Sequence, residues 1–418
     1  MNEEKQLLQI IKSHASRPLF EDVGVTFADF LNLIKKEREL MGPSSSPSLV
    51  ILNSPSSFET HIICSWSAKL IAHLSLGHLI ALKSESDPYQ FLKDDFAALS
   101  DLGAGFLLKT SGSTSSPKIV YHPLENAFAA ARRFHEFYGE HALTTWQLNL
   151  PLHHVGGLSL LMRSLFFGRS LVSHSNRKEI HPQAQAISLV PTQLSYFLEH
   201  SPRRLESLKL ILIGGASTPL GLRERAHDLC ISYSYGLTES FAAIGGTRLA
   251  SSDDRAFFFP GVQAKIEDHC LCLKGPGFLH SLIKEGKIIQ YQNQYYSTQD
   301  RAILNSDQSF EILGRDDQVI ISGAEKIDLS EVESVVSKMS EIEAARAIGA
   351  KSNKWGEALV LFVSPYSESL NKKITEHLKN ELGAHYGPKL FVDFSKLNYQ
   401  GIKPSTADFQ RELKDINL

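Results

Sequence analysis

The sequence is poor in cysteine, and its histidines do not cluster. Only four cysteines occur in 418 residues, and the one close pair, Cys270 and Cys272, would fall on one face of a strand without a second pair to complete a metal site. We therefore expect reduced thiols in a cytoplasmic protein. The seventeen histidines are scattered along the chain, which argues against a zinc site.

The sequence also lacks an excess of either charge and any long apolar run. Lysine and arginine number 43 against 46 aspartates and glutamates, so the formal charge is −3, and the pI is about 6.6. This balance gives no reason to expect a nucleic-acid or membrane partner. No apolar run approaches the roughly 20 residues that span a bilayer, and the N-terminus lacks the charged-then-apolar form of a signal peptide.

The length and the order of elements predict two domains. Up to about residue 213, apolar strands alternate with helical patterns, which predicts a mostly parallel sheet flanked by helices. Residues 255–313 change to short strands and turns, which predicts a small antiparallel, barrel-like part. We expect an α/β protein with a large domain at 1–315, a hinge at 314–317 and a small mobile α+β domain at 318–418. In the small domain, Ser330 and Glu333 predict a capping box.

Residues 105–122 have the composition of a phosphate-binding loop. Phe106 to Leu108 predict a buried strand, and Gly112 allows the backbone to turn so that successive N–H groups point into one concavity. The candidate phosphate-binding residues are Thr110, Ser111, Gly112, Ser113, Thr114 and Lys118. The spacing does not fit a Walker A loop. An ordinary surface turn is the alternative for this stretch alone.

Two later segments carry groups suited to a nucleotide. Gly214, Gly215 and Ala216 follow an apolar strand directly, where glycines let a flat ring lie against the backbone, although a tight turn fits equally well. In Tyr235-Gly236-Leu237-Thr238-Glu239, the tyrosine can stack on adenine, the threonine can donate to a phosphate and Glu239 can hold Mg²⁺. In isolation, this segment is more typical of a helix-capping turn.

Together these segments resemble the adenylate-forming enzymes, which include acyl-CoA synthetases, luciferases and peptide-synthetase adenylation domains. Their phosphate loop is T-S-G-[ST]-T-G-x-P-K, with Ser115 here in place of the second glycine, and their later motif is Y-G-x-T-E. Thr298-Gln299-Asp300 is similar to the family's T-G-D, with Gln299 in place of glycine. The resemblance implies that Asp300 binds the ribose hydroxyls and that Arg315 reaches the ribose or a phosphate.

The resemblance continues into the small domain. Ser322-Gly323-Ala324-Glu325 is similar to the family's S-G-G-E, with Ala324 replacing the second glycine, and it implies that the Gly323 face meets the pantetheine arm of coenzyme A. Asp317 matches the hinge position. Lys403, in Gly401-Ile402-Lys403, matches the family's catalytic lysine.

The segment from Leu150 to Arg163 resembles that of the o-succinylbenzoate–CoA ligases of menaquinone biosynthesis, and the short chain fits them too. The resemblance implies that His154 lines the acyl tunnel and takes part in catalysis, and that Arg163 pairs with a substrate carboxylate. It also implies ATP, Mg²⁺ and coenzyme A as cofactors and a small carboxylic acid as substrate.

Three interpretations of the function are open. The first is a 2-succinylbenzoate–CoA ligase, and the second is another aryl- or acyl-CoA ligase or a stand-alone enzyme that loads a carrier. A non-catalytic nucleotide-binding module is the third, because Ser115, Gln299 and Ala324 depart from the family pattern. The sequence leaves the oligomeric state open, a homo-oligomer included.

Overall fold

The computed structural model describes residues 3–42, 49–84, 99, 102–110, 118–139, 145–249, 255–284, 287–316, 318–323, 325–352, 354–397, 404 and 406–413. The helices within these ranges are α1 (Glu3–Ser13), α2 (Phe27–Met41), α3 (Thr60–Ser75), α4 (Leu124–Tyr138), α5 (Val155–Phe167), α6 (Pro191–His200), α7 (Pro202–Glu206), α8 (Leu220–Arg225), α9 (Leu329–Ser337), α10 (Glu368–Leu382) and α11 (Thr406–Glu412). The strands are β1 (Pro18–Phe20), β2 (Val25–Thr26), β3 (Leu49–Asn53), β4 (Leu79–Lys83), β5 (Gly105–Lys109), β6 (Ile119–Pro123), β7 (Trp146–Leu148), β8 (Leu171–Ser173), β9 (Ala186–Leu189), β10 (Leu210–Ile213), β11 (Ile231–Leu237), β12 (Ala242–Thr247), β13 (Ala256–Phe258), β14 (Gln263–Glu267), β15 (Cys270–Lys274), β16 (Ser281–Lys284), β17 (Lys287–Gln290), β18 (Tyr296–Leu304), β19 (Ser309–Arg315), β20 (Val319–Ser322), β21 (Glu325–Asp328), β22 (Ala344–Ser352), β23 (Gly356–Ser364) and β24 (Leu390–Asp393).

The largest sheet has 13 strands and changes character at β11. Its order is β14-β15-β18-β19-β13-β12-β11-β10-β9-β7-β8-β1-β2. The neighbours from β1 to β11 pair in parallel, and those from β11 to β14 pair antiparallel. Every residue of β9 and β10 is buried, as expected for parallel strands covered on both faces. The change of direction at β11 brings the antiparallel strands beside the ends of the parallel ones.

A second sheet carries the candidate phosphate loop. Its six strands run in the order β17-β16-β6-β5-β4-β3, and the loop joins β5 to β6, which pair antiparallel. Helices α3, α4 and α5 pack between this sheet and the larger one, and buried side chains such as Phe106, Phe134, Leu161 and Leu210 belong to one hydrophobic core. The two sheets are therefore fixed relative to each other.

Strands β20 to β24 form a third sheet of five strands, against which α9 and α10 pack around Ile327, Val332, Leu361 and Ile374. Within the described residues, polar contacts join this part of the chain to the preceding one. Arg301 Nη2 lies 2.5 Å from Asp328 Oδ2, and Glu343 accepts hydrogen bonds from Arg225 (2.5 Å) and Ser195 (3.2 Å).

The predicted capping box at α9 is wrong. The helix begins at Leu329, and Asp328 is its N-cap, since its carboxylate accepts from the backbone N–H groups of Ser330 (2.8 Å) and Glu331 (3.2 Å). Ser330 lies inside the first turn, and its hydroxyl accepts from the N–H of Arg315 at 2.9 Å. Glu333 instead accepts from the backbone N–H of Ala347 at 2.9 Å. The N-cap lies two residues before the position that the pattern indicated, at an aspartate, whose carboxylate is among the preferred N-cap groups.

The predicted α/β class is confirmed: a parallel-rich sheet flanked by helices, an antiparallel part and a smaller α+β part are all present. Within the described ranges, none of the helices has the length and apolar character that crossing a membrane requires.

Candidate active site

The strands on either side of the candidate phosphate loop form a closed hairpin. The backbone N–H of Thr110 donates to the carbonyl oxygen of Lys118 at 2.9 Å, directly beyond the pairing of Lys109 with Ile119. This bond fixes where the loop leaves and re-enters the sheet. Thr110 and Lys118 are described and half-buried, whereas Ser111, Gly112, Ser113 and Thr114 lie outside the described residues.

The second glycine segment lies at the carboxyl end of β10. The N–H of Gly214 donates to the carbonyl of Leu189 at 3.1 Å, and Gly215 has a φ of 81°. A Cβ on Gly214 would stand 2.7 Å from Ser234 Oγ, so glycine is required for this close approach to β11. Gly215 and Ala216 are exposed.

Tyr235, Asp300 and Arg315 form one connected cluster. The Tyr235 hydroxyl donates to Asp300 Oδ2, and Arg315 Nη1 lies 3.5 Å from Asp300 Oδ1. Asp300 and Arg315 are directly opposite each other in the β18–β19 ladder, and Asp300 is only 5% exposed. Burial and the charge of Asp300 raise the pKa of Tyr235, which therefore stays a neutral donor.

Glu239 lies in the 3₁₀ turn Thr238–Ser240 that follows β11. The Thr238 carbonyl accepts from His122 Nε2 at 2.7 Å, and the Glu239 carbonyl accepts from the N–H of Leu279 at 2.6 Å. The Glu239 side chain accepts from the Tyr296 hydroxyl at 2.9 Å. A single half-buried carboxylate suits Mg²⁺, a hard cation that commonly takes one or two carboxylates together with phosphate oxygens.

The sequence did not indicate two buried side chains that lie under this turn, a histidine and an arginine. His122 is fully buried beneath the Thr238 carbonyl. Arg133, also fully buried, donates to the carbonyl oxygens of Ser240, Ala243 and Pro276. The signal available in the sequence was an arginine among the apolar residues of one helix face, with the buried residues Ala127, Ala130 and Phe134 of α4.

Acid should destabilise the protein through His122. Burial lowers the pKa of this histidine to about 3, while in the unfolded chain it is near 6.5. Below pH 6.5 the unfolded chain binds a proton that the folded chain does not, so stability is lost at up to about 1.4 kcal/mol per pH unit. Urea unfolding at pH 7, 6 and 5 is expected to show a shallower pH dependence for His122→Gln than for the wild type. Equal slopes for the two proteins would contradict this assignment.

Gln299 occupies a backbone conformation that favours glycine. Its φ is 63°, and its carbonyl accepts from the N–H of Asp316 at 2.8 Å, beside Asp300 in strand β18. A non-glycine residue therefore adopts the left-handed conformation here, at a cost in strain.

Gln299→Gly is expected to raise the free energy of unfolding by about 0.5–1 kcal/mol, because relief of the left-handed strain exceeds the entropy cost of glycine. The matched control is Gln290→Gly, at an exposed strand position where φ is not positive. Its free energy of unfolding should fall by a similar amount, because glycine adds only its entropy cost there. Urea midpoints measure both changes. A loss of stability in Gln299→Gly as large as in the control would refute the strain argument.

The two predicted acyl-site residues differ in exposure. His154 is the exposed N-cap residue directly before α5, and Arg163 lies within the helix. The Arg163 guanidinium carbon lies 3.7 Å from the Phe134 ring centre and 4.9 Å from that of Trp146. Burial lowers the pKa of Arg163 to about 9, so it remains charged at neutral pH, and within the described ranges no carboxylate forms an ion pair with it.

Arg163 lines two small cavities of about 10 Å³ each, one beside Trp146 and Phe167 and the other beside Ser159 and Phe241. A volume of that size holds about one water molecule. Binding of a substrate group at Arg163 therefore requires the surrounding side chains to move.

The remaining predicted residues belong to the C-terminal part. Gly323 is exposed with a φ of 58°, and a Cβ there would meet the Trp355 ring at 2.9 Å. Asp317 and Lys403 lie outside the described residues. The structure thus joins Tyr235 to Asp300 and Arg315 and places Glu239 on the turn that follows the same strand.

Comparison with known proteins finds one enzyme family. A family model described as AMP-binding enzyme matches residues 82–277, and one described as AMP-binding enzyme C-terminal domain matches residues 331–397, together more than half of the chain. The chain is 29% identical to the 2-succinylbenzoate–CoA ligase of Salmonella typhimurium over 72% of its own length, and 29% identical to that of Bacillus subtilis over 70%. The chain spans about two thirds of these curated relatives, at 67% and 65% of their length.

Solved structures of the same kind have the same fold. A variant of Escherichia coli MenE with bound OSB-AMS superposes with a TM-score of 0.79 at 21% identity, covering 95% of both chains. The o-succinylbenzoate CoA synthetase of Bacillus subtilis, in complex with the acyl-adenylate intermediate OSB-AMP, gives 0.73 at 22% identity and covers 98% of both.

Proposed function

Because the chain belongs to the family of AMP-binding enzymes, we propose that it is an ATP-dependent, AMP-forming acid–CoA ligase. One observation carries the proposal: the edge of the large sheet where β11 ends presents Tyr235, Asp300 and Arg315 as one bonded cluster, with Glu239 on the next turn. The binding of a nucleoside triphosphate needs four groups: a ring that stacks on the base, a carboxylate that binds the ribose, a cation and a carboxylate that binds the metal.

The proposed substrate is 2-succinylbenzoate, and the product is 2-succinylbenzoyl-CoA, as in menaquinone biosynthesis. The names of the curated relatives support this choice. Arg163, a half-buried cation, would bind a carboxylate of the substrate, and His154 would line the acyl tunnel. We place the enzyme in the cytoplasm.

In the first half-reaction, a carboxylate oxygen attacks the α-phosphorus of ATP in line, and pyrophosphate leaves. The loop at 110–118 would hold the β- and γ-phosphates, while Gly214, Gly215 and Ala216 would lie along the adenine. Asp300 would accept from the ribose hydroxyls, with Gly236 leaving room beside Tyr235. Mg²⁺ held by Glu239, with Thr238 donating to a phosphate, would offset the negative charge of the phosphates.

In the second half-reaction, the coenzyme A sulfur attacks the acyl carbon, and AMP leaves. We propose that the chain divides into a large domain at 1–315 and a small domain at 318–418. Rotation at Asp317 would withdraw Lys403 and bring the Gly323 face to the adenylate. Asp317→Pro should then spare the first half-reaction and block the second.

The test is ATP–pyrophosphate exchange with 2-succinylbenzoate, followed by identification of the acylated thiol. Exchange with this acid and a CoA thioester as product would support the proposal. Exchange only with other acids, or acylation of a carrier protein, would reassign the substrate or the acceptor. ATP binding without exchange for any acid of a screen would indicate a non-catalytic nucleotide-binding module.

A further inference from the structure

The backbone of the Glu239 turn is fixed from three directions. His122 donates to the Thr238 carbonyl, Leu279 to the Glu239 carbonyl and Arg133 to the Ser240 carbonyl. A fixed backbone does not by itself orient a glutamate, because its side chain has three rotatable bonds. Some other group must decide where the carboxylate oxygens point.

Tyr296 is the group in contact with that carboxylate. Its hydroxyl donates to Glu239 Oε1 at 2.9 Å, and within the described ranges this is the hydrogen bond recorded for the Glu239 side chain. Tyr296 begins β18, where it pairs with Leu273 of β15, and its ring meets the Tyr291 ring at 5.5 Å in an edge-on arrangement. A tyrosine held by a strand and by a neighbouring ring is a fixed donor.

We propose that Tyr296 is a positioning residue for the metal ligand: its hydroxyl holds one oxygen of Glu239 and directs the other towards the Mg²⁺ that accompanies ATP. The inference rests on the proposed function, because that function supplies the Mg²⁺·ATP. At metal sites, groups that hydrogen-bond to a metal-ligating side chain hold it in the orientation that binds the metal. The loss of such a group typically costs 10- to 100-fold in metal affinity or activity.

Strand β18 carries residues at both ends of the proposed site, the metal end and the nucleoside end. Asp300 lies four residues after Tyr296 on β18 and is bonded to Tyr235 and Arg315. Removing the Tyr296 hydroxyl leaves these contacts intact. A positioning role therefore predicts weaker binding of Mg²⁺·ATP and unchanged binding of AMP, whereas a merely structural role would weaken both.

The experiment measures by calorimetry the affinity for ATP with and without Mg²⁺, and for AMP, in the wild type, Tyr296→Phe and Tyr291→Phe. We expect the Mg²⁺-dependent gain in ATP affinity to fall about 10- to 100-fold in Tyr296→Phe. The affinity of Tyr296→Phe for AMP should remain within about twofold of the wild-type value. Tyr291→Phe removes the hydroxyl of the neighbouring ring instead and should behave as the wild type in all three titrations.

A double-mutant cycle with Glu239→Gln sharpens the test. Once the carboxylate is absent, Tyr296→Phe should cause no further loss of the Mg²⁺-dependent gain. Additive losses, an unchanged gain in Tyr296→Phe, an equal loss of AMP affinity or a wild type without any Mg²⁺-dependent gain would each overturn the inference. Pyrophosphate exchange by the wild type tests the proposed function separately, since binding can depend on Tyr296 even if no acid is activated.

Discussion

Lys403→Ala is expected to slow adenylate formation by about 10²–10³-fold or more, while preformed acyl-adenylate is still converted to thioester. In the first half-reaction, negative charge accumulates on the non-bridging oxygens of the α-phosphate as the carboxylate attacks, and a positioned ammonium group stabilises it. In the thioester step, AMP is the leaving group, and the proposed rotation at Asp317 has already withdrawn Lys403 from the adenylate, so this step does not depend on that cation. Pyrophosphate exchange measures the first step, and single-turnover thiolysis of the synthetic adenylate measures the second.

Lys396→Ala is the matched control for that experiment. Lys396 is an exposed lysine seven positions earlier, in the 3₁₀ turn Phe394–Lys396, and its loss should leave both half-reactions within about twofold of the wild type. Equal slowing of both half-reactions by Lys403→Ala would contradict the proposed role and point instead to a general loss of structure.

The parallel core could be predicted from the sequence because its signals are local. Short apolar runs such as Leu79 to Leu82 and Leu210 to Ile213 have every side chain buried, so their composition alone identifies them. The apolar residues of α4 recur at helical spacing, which is likewise a local signal. Short strands such as β1 and β8, with three residues each, carry too little pattern to be recognised.

The pairing of distant segments could not be predicted, because sequence patterns carry no register between them. Strand β16 joins β6 by pairing Leu282 with Val120, which extends the sheet that carries the candidate phosphate loop. The bond between Tyr235 and Asp300 likewise spans 65 positions. The sequence indicated a nucleotide role for each of these two side chains separately, but their direct contact is visible only in the fold.

Gln299 shows how a departure from a motif can leave local geometry intact. The sequence alone left a non-catalytic module open partly because glycine is replaced at this position. In the structure, Gln299 adopts a left-handed conformation that glycine would adopt without strain, and the next residue, Asp300, lies opposite Arg315. Glutamine at this position is therefore compatible with the contact between Asp300 and Arg315.

Arg133→Ala is expected to lower the free energy of unfolding by on the order of 4 kcal/mol. The side chain is 2% exposed and donates to the carbonyl oxygens of Ser240, Ala243 and Pro276, which would all lose a buried donor, and a cavity would remain. Burial lowers the pKa of Arg133 to about 9, so the cation is retained at neutral pH. Urea unfolding measures the loss.

One further variant separates the volume of the Arg133 side chain from its hydrogen bonds, and a second is the control for the loss of an arginine from α4. Arg133→Met fills much of the space without any donor, so it should recover only the cavity part of the loss. Arg132→Ala removes an exposed arginine from the next position of α4 and should change stability by less than about 0.5 kcal/mol. If Arg133→Ala proves no more harmful than Arg132→Ala, the three carbonyl contacts do not stabilise the fold. A large loss for Arg133→Ala, accompanied by weaker pyrophosphate exchange in the protein that remains folded, would show that the buried cation also supports the turn that carries Glu239.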